Sequence, residues 1–553
     1  TGASTPQPHS RTHATTMIGT SRPEFYFIRL CIVGLHYLAP LAVLYCVLSI
    51  ILFGFKAATY RVPLIIESIA IAETLFFLCV YIPYNIYLQR EAVHPPAPTR
   101  EERTELFRLC NDNIPDPEAY LRKWFLGAPL SEIKRENLKE FLLWAFFNRG
   151  GPPGEDDEEL EEYVSALEKL LGRPIEEGTG DAKCLRTTLD RVGMLHRSLV
   201  WYTCVGFVDF LTSMKMLFLG FQFHRTSLTR FFTLFPFRWQ TIFARHRSPA
   251  KHTTYWYRPH TSTTKLPVVF IHGIGIGLYP YTNFLGELNS IDGVKSTDPE
   301  EQVGIIAIEI MPVSFRITNH ALSRQEMCAE IDQILLKHFG PDQKFILSSH
   351  SYGTVISTHL LKTPSIAKRI GSVVLIDPVS ILLHLPDVAY NFTRRKPKHA
   401  NEHQLYYFAS MDMGVSHTLS RHFFWNENVL WKKDLVGRKT TVSLSGRDLI
   451  VDTEAVGKYL SDQPKSELAN GYSDQDPDLI DVNGPVDEDA SVRMRGGEII
   501  RDEDLEKEEW KSRPWRGSGI DVLWFKDLDH AQIFDKPSSR RRVISAIRAY
   551  CEE

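Results

Sequence analysis

Hydrophobic positions follow three patterns along this chain: long uncharged runs near the amino terminus, helical faces in the middle and short buried runs in the second half. The first long run, residues 31–55, contains no Asp, Glu, Lys or Arg. About 20 apolar residues in a helix cross a bilayer core, so this run predicts a membrane-spanning helix. Residues 1–22 are rich in Thr, Ser, Pro and His without apolar periodicity, and they predict a disordered tail.

A second apolar run covers residues 62–88 and contains Glu67 and Glu73. Carboxylates are costly at membrane depth unless they lie near a helix end, are protonated or face a partner helix. The favoured interpretation is a second span packed on the first, so that residues 23–90 form a transmembrane helical hairpin. The alternative is a hairpin that dips into one leaflet.

Two spans return the chain to the side on which it started. Basic residues are more frequent on that side than in the link between the spans, which predicts an integral, multi-pass membrane protein with a cytosolic catalytic domain. The residues that carry this bias are Arg22, Arg29, Arg90, Arg100 and Arg103, against Lys56 and Arg61 in the link. The eight cysteines show no spacing typical of disulfides or of a zinc site, which fits a reducing compartment.

Residues 91–250 predict a helical region. Apolar residues recur at helical spacing in 138–146 and in the acidic segment 156–171. A third apolar run, 199–223, is interrupted only by Asp209 and Lys215, and basic residues interleave with aromatic ones from 230 to 243. This stretch predicts either helices in the membrane interface or a core helix packed on the neighbouring domain. A third span is the further alternative, and it would move the following domain across the membrane.

Residues 251–553 alternate short buried runs with helical segments, which predicts a mostly parallel sheet covered by helices on both faces. The runs that predict strands are 267–271, 303–310, 345–347, 372–376, 441–445 and 520–525. Residues 379–439 are rich in aromatic residues and predict a lid. Residues 461–518 are acidic, with Gly and Pro, and predict a disordered insertion. The formal net charge of −4 argues against nucleic acid as a partner.

The candidate chemistry is centred on Ser349-His350-Ser351-Tyr352-Gly353, which lies between a buried run and a helical pattern. A serine at the apex of a sharp strand-to-helix turn has an exposed hydroxyl, and small residues two positions to either side let strand and helix approach closely. Ser349 stands where this motif usually has its first glycine. Ser351 is therefore the candidate nucleophile, and the alternative is an ordinary buried serine.

Two further polar residues follow predicted strands later in the chain. Asp448 follows one predicted strand and His530 follows the next, so they are the candidate acid and base. Asp377 is the rival acid, with capping of a turn as its alternative role. His384, His417 and His422 lie in the lid and are interpreted as packing or hydrogen-bonding residues.

Upstream, a buried run ends in a glycine-rich turn that includes His272, Gly273 and Gly275. Such a turn lets backbone amides face a reacting oxygen, and the amide of Tyr352, the residue after the nucleophile, is the predicted second donor.

These features, in this order, resemble the α/β-hydrolase superfamily over about residues 255–550, and more narrowly the membrane-anchored α/β-hydrolases of fungi. The resemblance implies a triad of Ser351, Asp448 and His530 with oxyanion donors at Ile274 and Tyr352. The expected activity is hydrolysis of carboxylic esters, with a lipid or acyl ester from the membrane as substrate and no metal or organic cofactor. Acyl transfer by the same residues and a non-catalytic membrane scaffold remain the alternatives.

Overall fold

The structure is a computed structural model, and it describes residues 18–54, 64–291, 294–295, 301–462, 492–495, 498–501 and 509–553. Residues 1–17 of the tail predicted over residues 1–22 lie outside these ranges. Most of the insertion predicted over 461–518 also lies outside them. Its described parts include an antiparallel hairpin of Val492–Arg495 with Glu498–Arg501. They also include the buried Trp510, whose ring lies 5.1 Å from that of Trp524, a contact that the acidic composition did not predict.

The amino-terminal part is a helical hairpin. Helix α1 covers Arg22–Phe53, α2 covers Leu64–Phe76, and α3, Ile82–Leu88, continues α2 through a π-helical turn. α1 starts before the uncharged run because Ser21 and Glu24 form a capping box at its first turn. Among the described residues, two stretches are long and apolar enough to cross a membrane by length and composition, Arg22–Phe53 and Leu64–Leu88.

Glu73 is buried where the helical hairpin meets the rest of the protein. Its two carboxylate oxygens accept the backbone N–H groups of Leu199 and Val200 at 2.8 and 3.0 Å. These amides belong to the first turn of a later helix, where the positive end of the helix dipole favours a negative charge. Glu73 therefore faces a partner helix, which is one of the three ways in which a carboxylate can be accommodated in an apolar segment.

Five helices, α4 to α8, form the region between the hairpin and the sheet. They are Arg100–Asn111, Pro117–Trp124, Arg135–Phe147, Asp157–Leu171 and Leu199–Phe218. Helix α8 corresponds to the third apolar run, and its two faces differ. Val205 and Met216 are buried on one face, whereas Phe207, Phe210 and Phe218 are exposed on the other. The helix thus packs on the protein and leaves an apolar face uncovered by described residues.

The centre of the protein is a nine-stranded sheet. Its strands β1 to β9 are Gln222–Arg225, His246–Arg247, Tyr255–Arg258, Val268–Ile271, Ile305–Ile308, Phe345–His350, Ile370–Ile376, Thr440–Ser445 and Ile520–Phe525. The order across the sheet is β9-β8-β7-β6-β4-β5-β3-β1-β2, and β4 to β9 are all parallel. β3 is antiparallel to both β5 and β1. This mostly parallel sheet with helices on both faces fits an α/β-hydrolase fold.

The predicted domain boundary at residue 251 is wrong, because the sheet already begins at Gln222. Strands β1 and β2 have four and two residues and mix polar with aromatic side chains. Such short segments carry no alternation long enough to reveal a strand. The helical region predicted over 91–250 therefore ends with α8.

Alternate residues of the buried strands point into two cores. Helices α9 to α19, which surround these strands, are Gln240–Phe243, Thr282–Glu287, Arg324–Phe339, Gly353–Leu361, Pro364–Ala367, Pro386–Thr393, Ala400–Gln404, Met413–Arg421, Trp425–Asn428, Thr453–Ser461 and Pro537–Cys551. Val269 and Ile271 of β4 belong to the core on one face, together with α11, α12 and the lid, whereas Val268 and Phe270 belong to the other, together with α10 and α19.

A buried group of four charged residues joins α8 to the sheet. Asp209 of α8 accepts from Arg238 at 2.9 Å and from Arg316 at 2.7 Å. Arg238 also forms a bidentate pair with Glu309, just after β5, at 2.7 and 2.8 Å. Because two positive and two negative charges are paired out of water, loss of any one would leave the group with an uncompensated buried charge. Asp209, which interrupts the apolar run of α8, thus fixes the position of that helix.

The predicted lid is held between the sheet and the helical region. Residues 379–439 contain α14 to α17 and a π-helical segment, Leu405–Ser410. Trp425 donates through Nε1 to the carbonyl of Ala145 at 2.8 Å, and the buried Arg197 donates to the carbonyl of Tyr407 and stacks on its ring. These contacts fix the lid against α6 and the segment before α8.

Candidate active site

The predicted serine turn has the expected local geometry. β6 ends at His350, Ser351 has a φ of 50°, and α12 starts at Gly353. A Cβ atom at Gly353 would lie 2.3 Å from the carbonyl oxygen of Ile271, so only glycine fits there. Ser349, in the place of the usual first glycine, is fully buried and accepts a hydrogen bond from Ser357 at 2.7 Å. The strand and the helix therefore pack closely in spite of the extra hydroxymethyl group.

The structure brings Ser351, His530 and Asp448 together. His530 Nε2 lies 2.9 Å from Ser351 Oγ, and His530 Nδ1 lies 2.7 Å from Asp448 Oδ2. An ionised carboxylate only accepts hydrogen bonds, so Nδ1 carries a proton, and once the imidazole is neutral Nε2 presents its lone pair to the serine hydroxyl. These side chains come from the ends of β6, β8 and β9, which lie at one edge of the sheet because those strands are parallel.

Asp448 is held by its own loop. Its Oδ1 accepts the backbone N–H groups of Ile450 at 2.8 Å and Val451 at 3.0 Å, which leaves Oδ2 for the imidazole. Asp529, beside the histidine, accepts from the backbone N–H groups of His530 at 2.7 Å and Leu449 at 3.0 Å. The two aspartates thus hold the two loops against each other.

Three carboxyl groups, those of Asp448, Asp377 and Asp529, surround the His530 imidazole. Burial alone would lower the pKa of His530, but the Asp448 carboxylate, with Asp377 and Asp529 nearby, raises it to about 9. The surrounding charges therefore stabilise the imidazolium form, which a general base adopts after it takes a proton.

Asp377, the rival acid, lies beside this group. It is fully buried, and its two oxygens accept the backbone N–H groups of Ser445 at 3.0 Å and Ala531 at 2.9 Å. Burial and the nearby Asp448 carboxylate raise the pKa of Asp377. Because Asp448 forms the hydrogen bond to the imidazole, the geometry favours Asp448 as the orienting acid and gives Asp377 a bridging position.

Asp377, Asp448 and His530 present one ligand atom each within 4.8 Å of one another, which is close enough to hold a metal ion. Each of these atoms already has a hydrogen-bond partner in the site: Asp448 and His530 bind each other, and Asp377 binds two amides. The mutual hydrogen bonds fully account for the grouping, so we assign no metal site to it.

The glycine-rich turn after β4 lies against the serine. A Cβ atom at Gly273 would be 2.8 Å from Ser351 Cβ. The amides of Gly273 and Gly275 donate to the Tyr281 hydroxyl at 3.2 Å and the Val313 carbonyl at 3.1 Å. The residue between them, Ile274, lines the two cavities at Ser351. Among the described residues, no acceptor is found for the backbone amide of Ile274 or for that of Tyr352.

His272 supports the same turn from below. It is fully buried, and burial lowers its pKa to about 4, so its ring is neutral at physiological pH. Nε2 accepts the Ile310 amide at 2.9 Å, and Nδ1 donates to the Gly273 carbonyl at 2.7 Å. His272 therefore joins the turns that follow β4 and β5.

Two further residues at the site were not singled out from the sequence. Tyr281 contacts both the Gly273 amide and His350 Nδ1, the latter at 2.8 Å. Asp529 accepts from Asn401 of the lid helix α15 at 2.6 Å. Asp529 could have been recognised from the sequence because it directly precedes His530. Tyr281 could not, because the residues around it show no pattern that singles it out. None of the lid histidines His384, His417 and His422 lines either cavity at Ser351.

Ser351 lies where two cavities meet. The larger one has a volume of about 600 Å³, within the range of sites that enclose small molecules, and it also contains His530, Ile274 and lid residues such as Phe392 and Phe408. The smaller one, about 60 Å³, is enclosed by aromatic residues of the lid and of the helical region. The site thus combines a polar centre with apolar walls.

No family model matches the sequence. No curated protein matches it. Similar solved structures include a bacterial membrane phospholipase A described as a virulence factor, with 10% identity, a TM-score of 0.34, and coverage of 64% of this chain and 94% of that one. The carboxylesterase CesB and the naproxen esterase of Bacillus subtilis each show 11% identity, a TM-score of 0.30, and coverage of 62% of this chain and 97% of theirs. We draw no conclusion about activity from these similarities.

Proposed function

We propose that this protein is a serine hydrolase of carboxylic esters, with Ser351 as nucleophile, His530 as general base and Asp448 as the acid that orients the imidazole. The observation that carries the proposal is the continuous hydrogen-bond chain from Asp448 through His530 to Ser351 Oγ, with distances of 2.7 and 2.9 Å. A non-catalytic scaffold would not need these three side chains in this order at one edge of the sheet.

In this mechanism, His530 Nε2 takes the proton of Ser351 as Oγ attacks the ester carbonyl carbon. The amides of Ile274 and Tyr352 stabilise the negative oxygen of the tetrahedral intermediate. The intermediate collapses, the C–O bond to the alcohol breaks, and the imidazolium returns its proton to the leaving alcohol. A water molecule, deprotonated by His530, then attacks the acyl-enzyme and releases the acid and free Ser351. These steps require no metal or organic cofactor.

The substrate we propose is a lipid or acyl ester taken from a membrane. The supporting features are the cavity of about 600 Å³ with its apolar walls and the two apolar helical stretches at the amino terminus. The helical hairpin would make the chain a multi-pass membrane protein, and the distribution of basic residues favours a catalytic domain in the cytosol.

The test is turnover of a panel of esters by the full-length protein in mixed micelles. We expect wild type to release free acid from long-chain esters and Ser351→Ala to release none above background. The control is Ser420→Ala, a lid serine outside both cavities that contain Ser351. Equal turnover by wild type and Ser351→Ala would refute the proposal, and transfer of the acyl group to an added alcohol in place of water would favour an acyltransferase.

A further inference from the structure

The cavity that contains Ser351 and His530 is not enclosed by the sheet and lid alone. Its outer wall includes Ile28, Cys31 and Leu35 of α1, which follow each other at helical spacing on one face. The lining also includes Trp201 and Cys204 of α8. The first candidate membrane helix therefore lines the same cavity as the proposed nucleophile.

Several contacts hold α1 at this position. The carbonyl of Gly19, just before the helix, accepts the amide of Asn401 in α15 at 3.1 Å. The rings of Phe25 and His403 lie 5.5 Å apart, edge to face. α15 is also the helix whose Asn401 binds Asp529 beside His530, so α1 is connected to the site through one lid helix.

The surfaces beside this wall are apolar and uncovered by described residues. Phe27 and Leu30 of α1 are 61% and 72% exposed, and Phe207 and Phe210 of α8 are 62% and 56% exposed. Exposed apolar surface of this extent is typical of contact with a membrane or with another protein. Since α1 is long and apolar enough to cross a bilayer, lipid is the occupant that the chain itself indicates.

We propose that the side of the cavity lined by α1 and α8 is a lateral portal through which the acyl chain of a membrane lipid ester enters the cavity and reaches Ser351. This proposal rests on the proposed esterase function and makes α1 a part of the acyl-binding site as well as an anchor. Cys31 and Leu35 lie at the start of the uncharged run, just after Arg29, which puts this wall where the headgroups of one leaflet meet its hydrocarbon. An acyl chain can thus pass from the bilayer to the site beside α1 without crossing water.

The direct test uses a long-chain alkyl fluorophosphonate that carries a photoreactive diazirine along its chain, applied to the full-length protein in lipid nanodiscs. We expect phosphonylation of Ser351 and, after irradiation, cross-links to peptides from α1 or α8. Phosphonylation of Ser351 with cross-links confined to other elements would overturn the portal and leave the esterase proposal intact. Absence of any adduct at Ser351 would instead count against the proposed function.

A second measurement narrows the portal with bulky side chains. The readout is the ratio of kcat/KM for a long-chain ester to kcat/KM for a short soluble ester. We expect Cys31→Trp and Cys204→Trp to lower this ratio by about tenfold or more, because the added ring blocks the path of the chain. Cys79→Trp, at an exposed position after α2 that does not line the cavity, is the matched control and should keep the wild-type ratio. A ratio equal to that of wild type in both portal variants would contradict the proposal.

Discussion

The Asp377 carboxylate accepts the backbone N–H of Ala531, the residue after His530, at 2.9 Å. Its other oxygen accepts the amide of Ser445 at the end of β8, three residues before Asp448. One buried carboxylate thus connects the loop that carries the proposed acid to the loop that carries the proposed base. Asp377 acts on His530 by its position and its charge, without a hydrogen bond to the imidazole.

The pH dependence of activity tests this charge effect. Because the pKa of His530 is raised to about 9, the imidazole is protonated at neutral pH and must lose its proton before it can act as a base. We expect kcat/KM for a short ester to increase with pH and to level off above about pH 9. Asp377→Asn removes a charge that stabilises the imidazolium, so it should lower the pKa of His530 and shift the rising limb to lower pH.

The control for this shift is Asp527→Asn. Asp527 is exposed and pairs with Arg447. Its substitution should therefore leave the pH range over which kcat/KM rises the same as in wild type. If kcat/KM of Asp377→Asn rises over the same pH range as kcat/KM of wild type, the Asp377 charge does not act on His530. Asp529→Asn provides a second case, since Asp529 also raises the pKa of His530.

Substitutions in the proposed triad should lower kcat by about 10³-fold or more. Ser351→Ala removes the nucleophile, and His530→Ala removes the base. Asp448→Asn leaves the imidazole without the acceptor that selects its tautomer. Combining the three changes should lower kcat little further, because the side chains act as one unit. Steady-state kinetics on a soluble ester measures kcat of the single and combined variants. If the loss of kcat in the combined variant equalled the product of the three single losses, the side chains would not act as a triad.

Gly353→Ala tests the packing of the serine turn. The added methyl would lie 2.3 Å from the Ile271 carbonyl oxygen, so strand and helix must separate. We expect the free energy of unfolding to fall by about 1–3 kcal/mol. Gly193→Ala is the matched control, because its nearest neighbour would be a Met411 methyl at 3.9 Å. Thermal unfolding in detergent measures both variants, and equal stability of the two would contradict the geometry of the turn.

Glu73→Ala tests the connection between the helical hairpin and α8. It leaves the amides of Leu199 and Val200 without their acceptor, and we expect a loss of about 1–3 kcal/mol in the free energy of unfolding. Glu67→Ala, at a half-buried position on the same helix, should change stability much less. If the two substitutions had equal effects on thermal unfolding, Glu73 would not be the residue that connects the hairpin to α8.

The sequence predicts the elements whose pattern is local. Most of the parallel strands are continuous buried runs, and β9 alternates half-buried with buried residues, so residues such as Ser351 and His530 could be assigned to strand ends from the order of hydrophobic and polar residues alone. Strands β1 and β2 could not be recognised because four and two residues carry no periodicity. Because these two strands were not recognised, the start of the sheet domain was predicted at residue 251 and not at residue 222.

Other features depend on contacts between residues that are distant in the chain. The bridging position of Asp377 requires Ser445 and Ala531 to meet, and no spacing in the sequence encodes that meeting. The wall that α1 contributes to the cavity depends on docking of α15 more than 350 positions later in the sequence. Glu73 could be recognised as unusual in an apolar run, but its partner at the start of α8 could not.

The most direct measurement of the central claim is to identify, by mass spectrometry, the residue modified when the full-length protein reacts with a fluorophosphonate probe. The account predicts a single adduct on Ser351, formed in wild type, strongly slowed in His530→Ala and absent in Ser351→Ala. Labelling of wild type and Ser351→Ala to the same extent, or an adduct on a different serine, would contradict it.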